Sequence, residues 1–209
     1  MGNQTSLGLR ERKKADTRRA LSDAALDLAF ELGLENVTRE DIADRAGVSL
    51  RTFNNYFTGK YQALAYRQVQ RARLGVVAMR QRPSDEPLWT SITEAVLAPL
   101  VAEVGDDGVP TRQQLAEIRK LVFAPEVRRA VSQELLEEWM EVIADRTGTD
   151  PARDMYPRLV AAVVRAVTES AVDAYVLADP PVPLTTFLRR GFADVAAGLP
   201  QPDGREVRS

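Results

Sequence analysis

The 209-residue chain is 44% hydrophobic, enough for a buried core, and has no apolar run near the roughly 18 residues that cross a bilayer, so a folded, soluble, cytoplasmic protein with no membrane partner is expected. It contains neither Cys nor His, which removes disulfides, thiolate nucleophiles, zinc-thiolate sites and imidazole chemistry. The net charge of −2 is unevenly placed: residues 1–75 hold 13 of the 28 Lys and Arg but only 9 of the 30 Asp and Glu.

That basic excess begins at the N-terminus, where Arg10, Arg12, Lys13, Lys14, Arg18 and Arg19 are diluted only by Glu11 and Asp16. The window suits an arm or first helical turn near phosphates, with Arg18 and Arg19 as the phosphate candidates; the same composition also suits a solvated arm. From Asp16 to Leu32 the apolar positions Leu21, Ala25, Leu28, Ala29 and Leu32 recur at spacings of three and four, and Gly33 stands where a left-handed cap belongs. Thr38 and Asp41 form a capping box with Asp in place of Glu, opening a short second helix with an Ile42, Ala43, Ala46 stripe that ends at Gly47. Ser49 is the N-cap candidate of a third helix.

On a helical wheel, that third helix places Thr52, Phe53, Tyr56 and Phe57 on one side and Leu50, Arg51, Asn54 and Asn55 on the other. Two short helices joined at Ala46-Gly47-Val48-Ser49 make a helix-turn-helix, whose second helix fits the major groove of B-DNA. The outward residues have matching chemistry: Arg51 forks onto guanine, Asn54 or Asn55 pairs with adenine, and Leu50 meets a thymine methyl. Thr38 and Ser49 open helices whose amide ends attract phosphate, Tyr56 has a hydroxyl to offer, and Lys60 lies just beyond the reading helix. An ordinary polar helix face on a bundle protein would show the same wheel.

Residues 24–64, AALDLAFELGLENVTREDIADRAGVSLRTFNNYFTGKYQAL, resemble the DNA-binding region of the TetR family of bacterial transcriptional regulators. The resemblance rests on Gly33, Thr38, Ile42-Ala43, Ala46-Gly47-Val48-Ser49, Thr52-Phe53, Tyr56-Phe57, Lys60 and Leu64. It implies an all-α homodimer with three helices for DNA, the rest for dimerisation and a buried effector pocket, and a palindromic double-stranded operator. It places Leu50, Arg51, Thr52, Asn54 and Asn55 at base-reading positions and Thr38, Tyr56 and Lys60 at phosphate positions. Gly59 and Tyr61 depart from the polar and acidic residues common beside that lysine, leaving open how the fourth helix is capped; Asn54 stands where an aromatic is common.

Beyond residue 58, periodic segments at about 60–81, 88–104, 111–123, 126–146, 151–178 and 184–198 predict six further helices, nine in all. No Gly/Ser linker follows the reading helix, so the first of the six connects an N-terminal arm and helix-turn-helix domain (1–57) to a six-helix effector-binding and dimerisation domain (58–198), before a frayed tail (199–209). Residues 159–177 are apolar on more than one face, so Val163, Val167, Ala171 and Ala174, with Phe187 and Phe192 of the last helix, are the dimer candidates; an internal core helix is the other reading. Met79, Trp89, Phe123, Trp139, Met140 and Tyr156 are pocket candidates for a small lipophilic effector, and equally ordinary core residues. The acidic pairs Asp106-Asp107 and Glu137-Glu138 do not converge on one face, so no catalytic site, metal or cofactor is expected. The expected function is a DNA-binding regulator, a repressor relieved by its effector; the alternatives are a helical small-molecule-binding protein keeping the helix-turn-helix as scaffold, or an adaptor binding protein through the 50-51-54-55 face.

Overall fold

In the computed structural model, described over residues 3–105, 108–125, 127 and 135–201, the first helix, α1, spans Asn3–Leu32. It begins well before the expected Asp16, because residues 9–20 are rich in strong helix formers and lack proline. Leu21, Ala25, Leu28 and Ala29 form its buried face. Gly33 ends it at φ +85°, a backbone conformation that a side chain would strain, and its N–H still reaches the Ala29 carbonyl at 3.1 Å. A 3₁₀ turn, Leu34–Asn36, leads to α2 (Arg39–Arg45) and α3 (Leu50–Tyr56). Then follow α4 (Lys60–Arg80), α5 (Leu88–Val104), α6 (Arg112–Phe123), α7 (Leu136–Thr147), α8 (Met155–Leu177) and α9 (Leu184–Ala196). The described residues thus form nine α-helices and no strand. Asp106, Asp107, the start of the expected 126–146 helix and tail residues 202–209 lie outside them.

The chain divides into two compact units, with boundaries at Leu74/Gly75, Val109/Pro110 and Trp139/Met140. These do not coincide with the expected 57/58 boundary, because the core of the first unit draws on later helices. Ala63, Leu64 and Ala65 of α4 and Leu121 of α6 are buried in one cluster with Leu21, Leu28, Ile42, Phe53 and Phe57. The buried Ser22 hydroxyl donates to the Ala63 carbonyl at 2.7 Å, tying α1 to α4.

In the second unit α9 packs on both α8 and α5. Val160, Val164, Val167 and Ala171 of α8 and Leu188 and Phe192 of α9 are buried within the single chain. Val167, Ala171 and Phe192 are therefore intrachain core, which corrects their expected place at a dimer interface: their helix faces are used up by α8 meeting α9. Val163, Ala174 and Phe187 remain half-buried. The loop after α4 is held by polar contacts. Arg146 donates to the carbonyls of Pro83 and Glu86 and to the Ser91 hydroxyl at 2.5, 2.8 and 2.8 Å. Glu86 accepts from Arg82 and, at 2.5 Å, from Ser91 Oγ, and these hydrogen bonds hold its pKa down to about 2 from 4.5. A depressed carboxylate pKa contributes stability above its unfolded value that is lost as the folded value is approached. Resistance to urea is thus expected to fall from pH 4.5 toward 2, with a shallower fall in Glu86→Gln.

Candidate nucleic-acid interface

The turn between α2 and α3 is specified locally. Thr38 Oγ1 accepts the Asp41 N–H at 3.1 Å while Asp41 Oδ2 accepts the Thr38 N–H at 3.1 Å, so the capping box forms with aspartate. The Asp41 carboxylate accepts from the Thr38 hydroxyl as well as from the Thr38 N–H, and these two hydrogen bonds, the hydroxyl's first, lower its pKa. At the far end Gly47, at φ +69°, donates to Asp44 O at 3.0 Å and Val48 N donates to Ala43 O at 2.9 Å, the double bond of a Schellman motif. Ser49 Oγ then accepts the Thr52 N–H at 3.1 Å and caps α3.

Two buried rings anchor α3. Phe53 and Phe57 are 0% and 3% exposed, their ring centroids 5.9 Å apart, and Phe57 meets Tyr66 of α4 edge-on at 5.7 Å. With that side inward, Arg51, Asn54 and Asn55 stand exposed, and none has a side-chain partner among the described residues. Leu50 is half-buried beside them. This leaves one guanidinium and two carboxamides, all hydrogen-bonding groups suited to base edges, on a short helix with no structural use for them.

Residues 21–65 match the family Bacterial regulatory proteins, tetR family, and residues 86–200 match the MftR C-terminal domain. The chain belongs to the TetR family of bacterial transcriptional regulators. It is 31% identical over 168 residues to the HTH-type transcriptional regulator TcmR of Streptomyces glaucescens, covering 77% of this chain and 73% of that protein. It is 28% identical over 191 residues, 90% of this chain and 93% of the relative, to MftR of Mycobacterium tuberculosis, provisionally named a mycofactocin biosynthesis transcriptional regulator. The same fold occurs in FadR of Thermus thermophilus, a transcriptional repressor solved with lauroyl-CoA, at TM-score 0.58 and 17% identity, covering 92% of this chain and all of that one. FadR of Bacillus halodurans, a fatty acid degradation regulator, aligns at TM-score 0.56 and 19% identity, covering 88% and 96%. No helix among the described residues is long and apolar enough to cross a membrane.

The structure seats several of the other expected contacts differently for a TetR-family protein. Lys60 does not face outward: its Nζ donates to the carbonyls of Leu34, Glu35 and Val37 at 2.9, 3.2 and 3.0 Å. A turn leaves carbonyls that no helical N–H serves, and an ammonium with three donors fills that need. Arg18 is also drawn inward. Its guanidinium carbon lies 6.0 Å from the ring centroids of both Tyr56 and Tyr66, and its Nε is buried without a partner. Thr52 is half-buried, and its Oγ1 lies 2.9 Å from Ser49 Oγ at the cap of α3. Thr38 is exposed, but its hydroxyl is committed to Asp41 at 2.5 Å. Arg19 stays exposed, 3.9 Å from Asp23.

At the start of α4, Gln62 Oε1 accepts the Thr58 N–H at 2.7 Å, tying the residue before Gly59 to the first turn of the helix. Of the pocket candidates, Phe123 and Trp139 fall in the first unit and Met79, Trp89, Met140 and Tyr156 in the second. Phe123 and Tyr156 are 43% and 47% exposed. Met79 and Trp139 are buried, and Trp89 and Met140 half-buried. The sequence reading passed over Arg39, the first residue of α2, which is exposed and has no side-chain partner among the described residues. The available signal was a cation directly after the Thr38 cap.

Proposed function

We propose that the protein is a homodimeric repressor that reads a palindromic operator through Arg51, Asn54 and Asn55, with Leu50 against a thymine methyl, and releases it when a small lipophilic effector binds. The observation that carries the reading is the split of α3 into two buried rings and three exposed, unengaged hydrogen-bonding side chains. Arg39 and Arg19 join Tyr56 as phosphate candidates. Residues 1–57 then carry the reading element and 58–198 the effector and dimer functions. For the dimer, α8 offers Met155, Leu159 and Leu177, 75%, 51% and 64% exposed, with half-buried Val163 and Ala174 between them. A row of that kind on one helix favours pairing with a second copy. For the effector, Met79, Trp89 and Met140 are the remaining candidates of the second unit, and their apolar character sets the ligand class.

The test is a mobility shift on DNA selected from a random-sequence library at two salt concentrations. Wild type is expected to form one salt-sensitive complex on a palindrome. Arg51→Ala is expected to lose ~1–3 kcal/mol of discrimination at one base pair of each half-site while keeping weak nonspecific binding. Enrichment of no sequence by wild-type protein would sink the reading, and binding without salt dependence would favour a protein-binding adaptor.

A further inference from the structure

The turn that precedes α2 is held from two later helices. From α4, Lys60 closes the carbonyls of Leu34, Glu35 and Val37. From α6, Glu117 Oε2 accepts the Leu34 N–H at 3.0 Å. Lys120 Nζ then bridges Glu117 Oε1 at 3.0 Å and Glu35 Oε2 at 3.1 Å. The Glu117 side chain is only 15% exposed, and its hydrogen bond spans 83 residues of sequence. Both polar ends of the turn are thus satisfied by side chains, and Thr38, the cap of α2, follows directly. A carboxylate in the DNA-reading unit opposes phosphate by its charge, so any contribution it makes to binding must come through the geometry it holds.

We infer that Lys60 and Glu117 are positioning residues that clamp the Leu34–Val37 turn and so orient α2 and α3 for DNA, without either touching a phosphate. This role rests on the DNA-reading function proposed above. It reverses two simple electrostatic expectations: truncating the Glu117 side chain, negative charge included, should weaken DNA binding, and removing the Lys60 charge should leave its salt dependence unchanged.

The experiment measures operator affinity across a salt series for full-length wild type, Glu117→Ala, Glu117→Gln and Lys60→Gln, with amide hydrogen exchange of the free proteins alongside. Glu117→Ala is expected to bind about tenfold more weakly, and Glu117→Gln, which retains an oxygen to accept the Leu34 N–H, to bind near wild type. Lys60→Gln is expected to weaken binding with an unchanged slope of log K against log [salt], where a lost phosphate contact would reduce that slope by about 0.9 per subunit. The Leu34 amide is expected to exchange faster in Glu117→Ala than in Glu117→Gln. Tighter or equal binding by Glu117→Ala, or a reduced slope in Lys60→Gln, would overturn the inference while leaving the DNA-reading function intact. Absence of any specific wild-type complex would overturn both, and the exchange data would then report separately whether Glu117 holds the turn.

Discussion

Phe53→Ala is expected to lose about 3–5 kcal/mol of stability in the first unit, the range for removing a fully buried phenylalanine. Phe53 is 0% exposed and sits in one cluster with Leu21 of α1, Ile42 of α2, Leu64 of α4 and Phe57, which directly follows α3. Truncation leaves a cavity where four helices meet, and the seven-residue α3 is too short to persist without that anchor. DNA binding should therefore be lost together with stability. Urea unfolding followed by Trp139 fluorescence in a Trp89→Phe background would measure the loss, since Trp139 lies in this unit and Trp89 in the other. Arg51→Ala is the matched control, because an exposed substitution of this kind changes stability by about 0.5 kcal/mol or less while removing specific DNA binding. A shift below about 1 kcal/mol for Phe53→Ala would show that the ring is not the anchor of α3.

Gly191→Ala is expected to destabilise the second unit, although alanine is favoured over glycine in a helix by about 0.8–1 kcal/mol. A Cβ at this position would lie 2.8 Å from Val167 Cγ1, closer than carbon atoms pack, and a β-branched side chain in a helix has no alternative rotamer to offer. Overpacking costs about 1–3 kcal/mol, so the net effect is a loss of stability where propensity alone forecasts a gain. The partner variant decides the cause. Val167→Ala removes the opposing methyl group, and Gly191→Ala combined with Val167→Ala should be more stable than the sum of the two single losses, by a coupling of about 0.5–3 kcal/mol. Additive losses would show that α8 and α9 are not in contact through these two residues.

What the sequence determined by itself lies within short stretches of chain. The Thr38 and Asp41 capping box, the stop at Gly47, the Ser49 cap and the division of α3 into Phe53 and Phe57 against Arg51, Asn54 and Asn55 each depend on residues no more than about four apart, which is the range over which helical geometry dictates neighbours. The same local pattern was enough to identify the family and the all-α class. The tertiary structure alone decided which charged groups are available. Lys60 and Arg18 look like phosphate contacts in sequence, but Lys60 serves a turn more than twenty residues earlier and Arg18 stacks on tyrosines of α3 and α4. Likewise, an all-round apolar α8 does not reveal which of its faces meets α9, so Val167 and Ala171 of α8 and Phe192 of α9 read as interface in sequence, whereas all three are buried within the single chain. The contribution of α6 to the first unit, through Leu121 and Glu117, had no local signal at all, because a hydrogen bond across 83 residues is set by packing and not by periodicity.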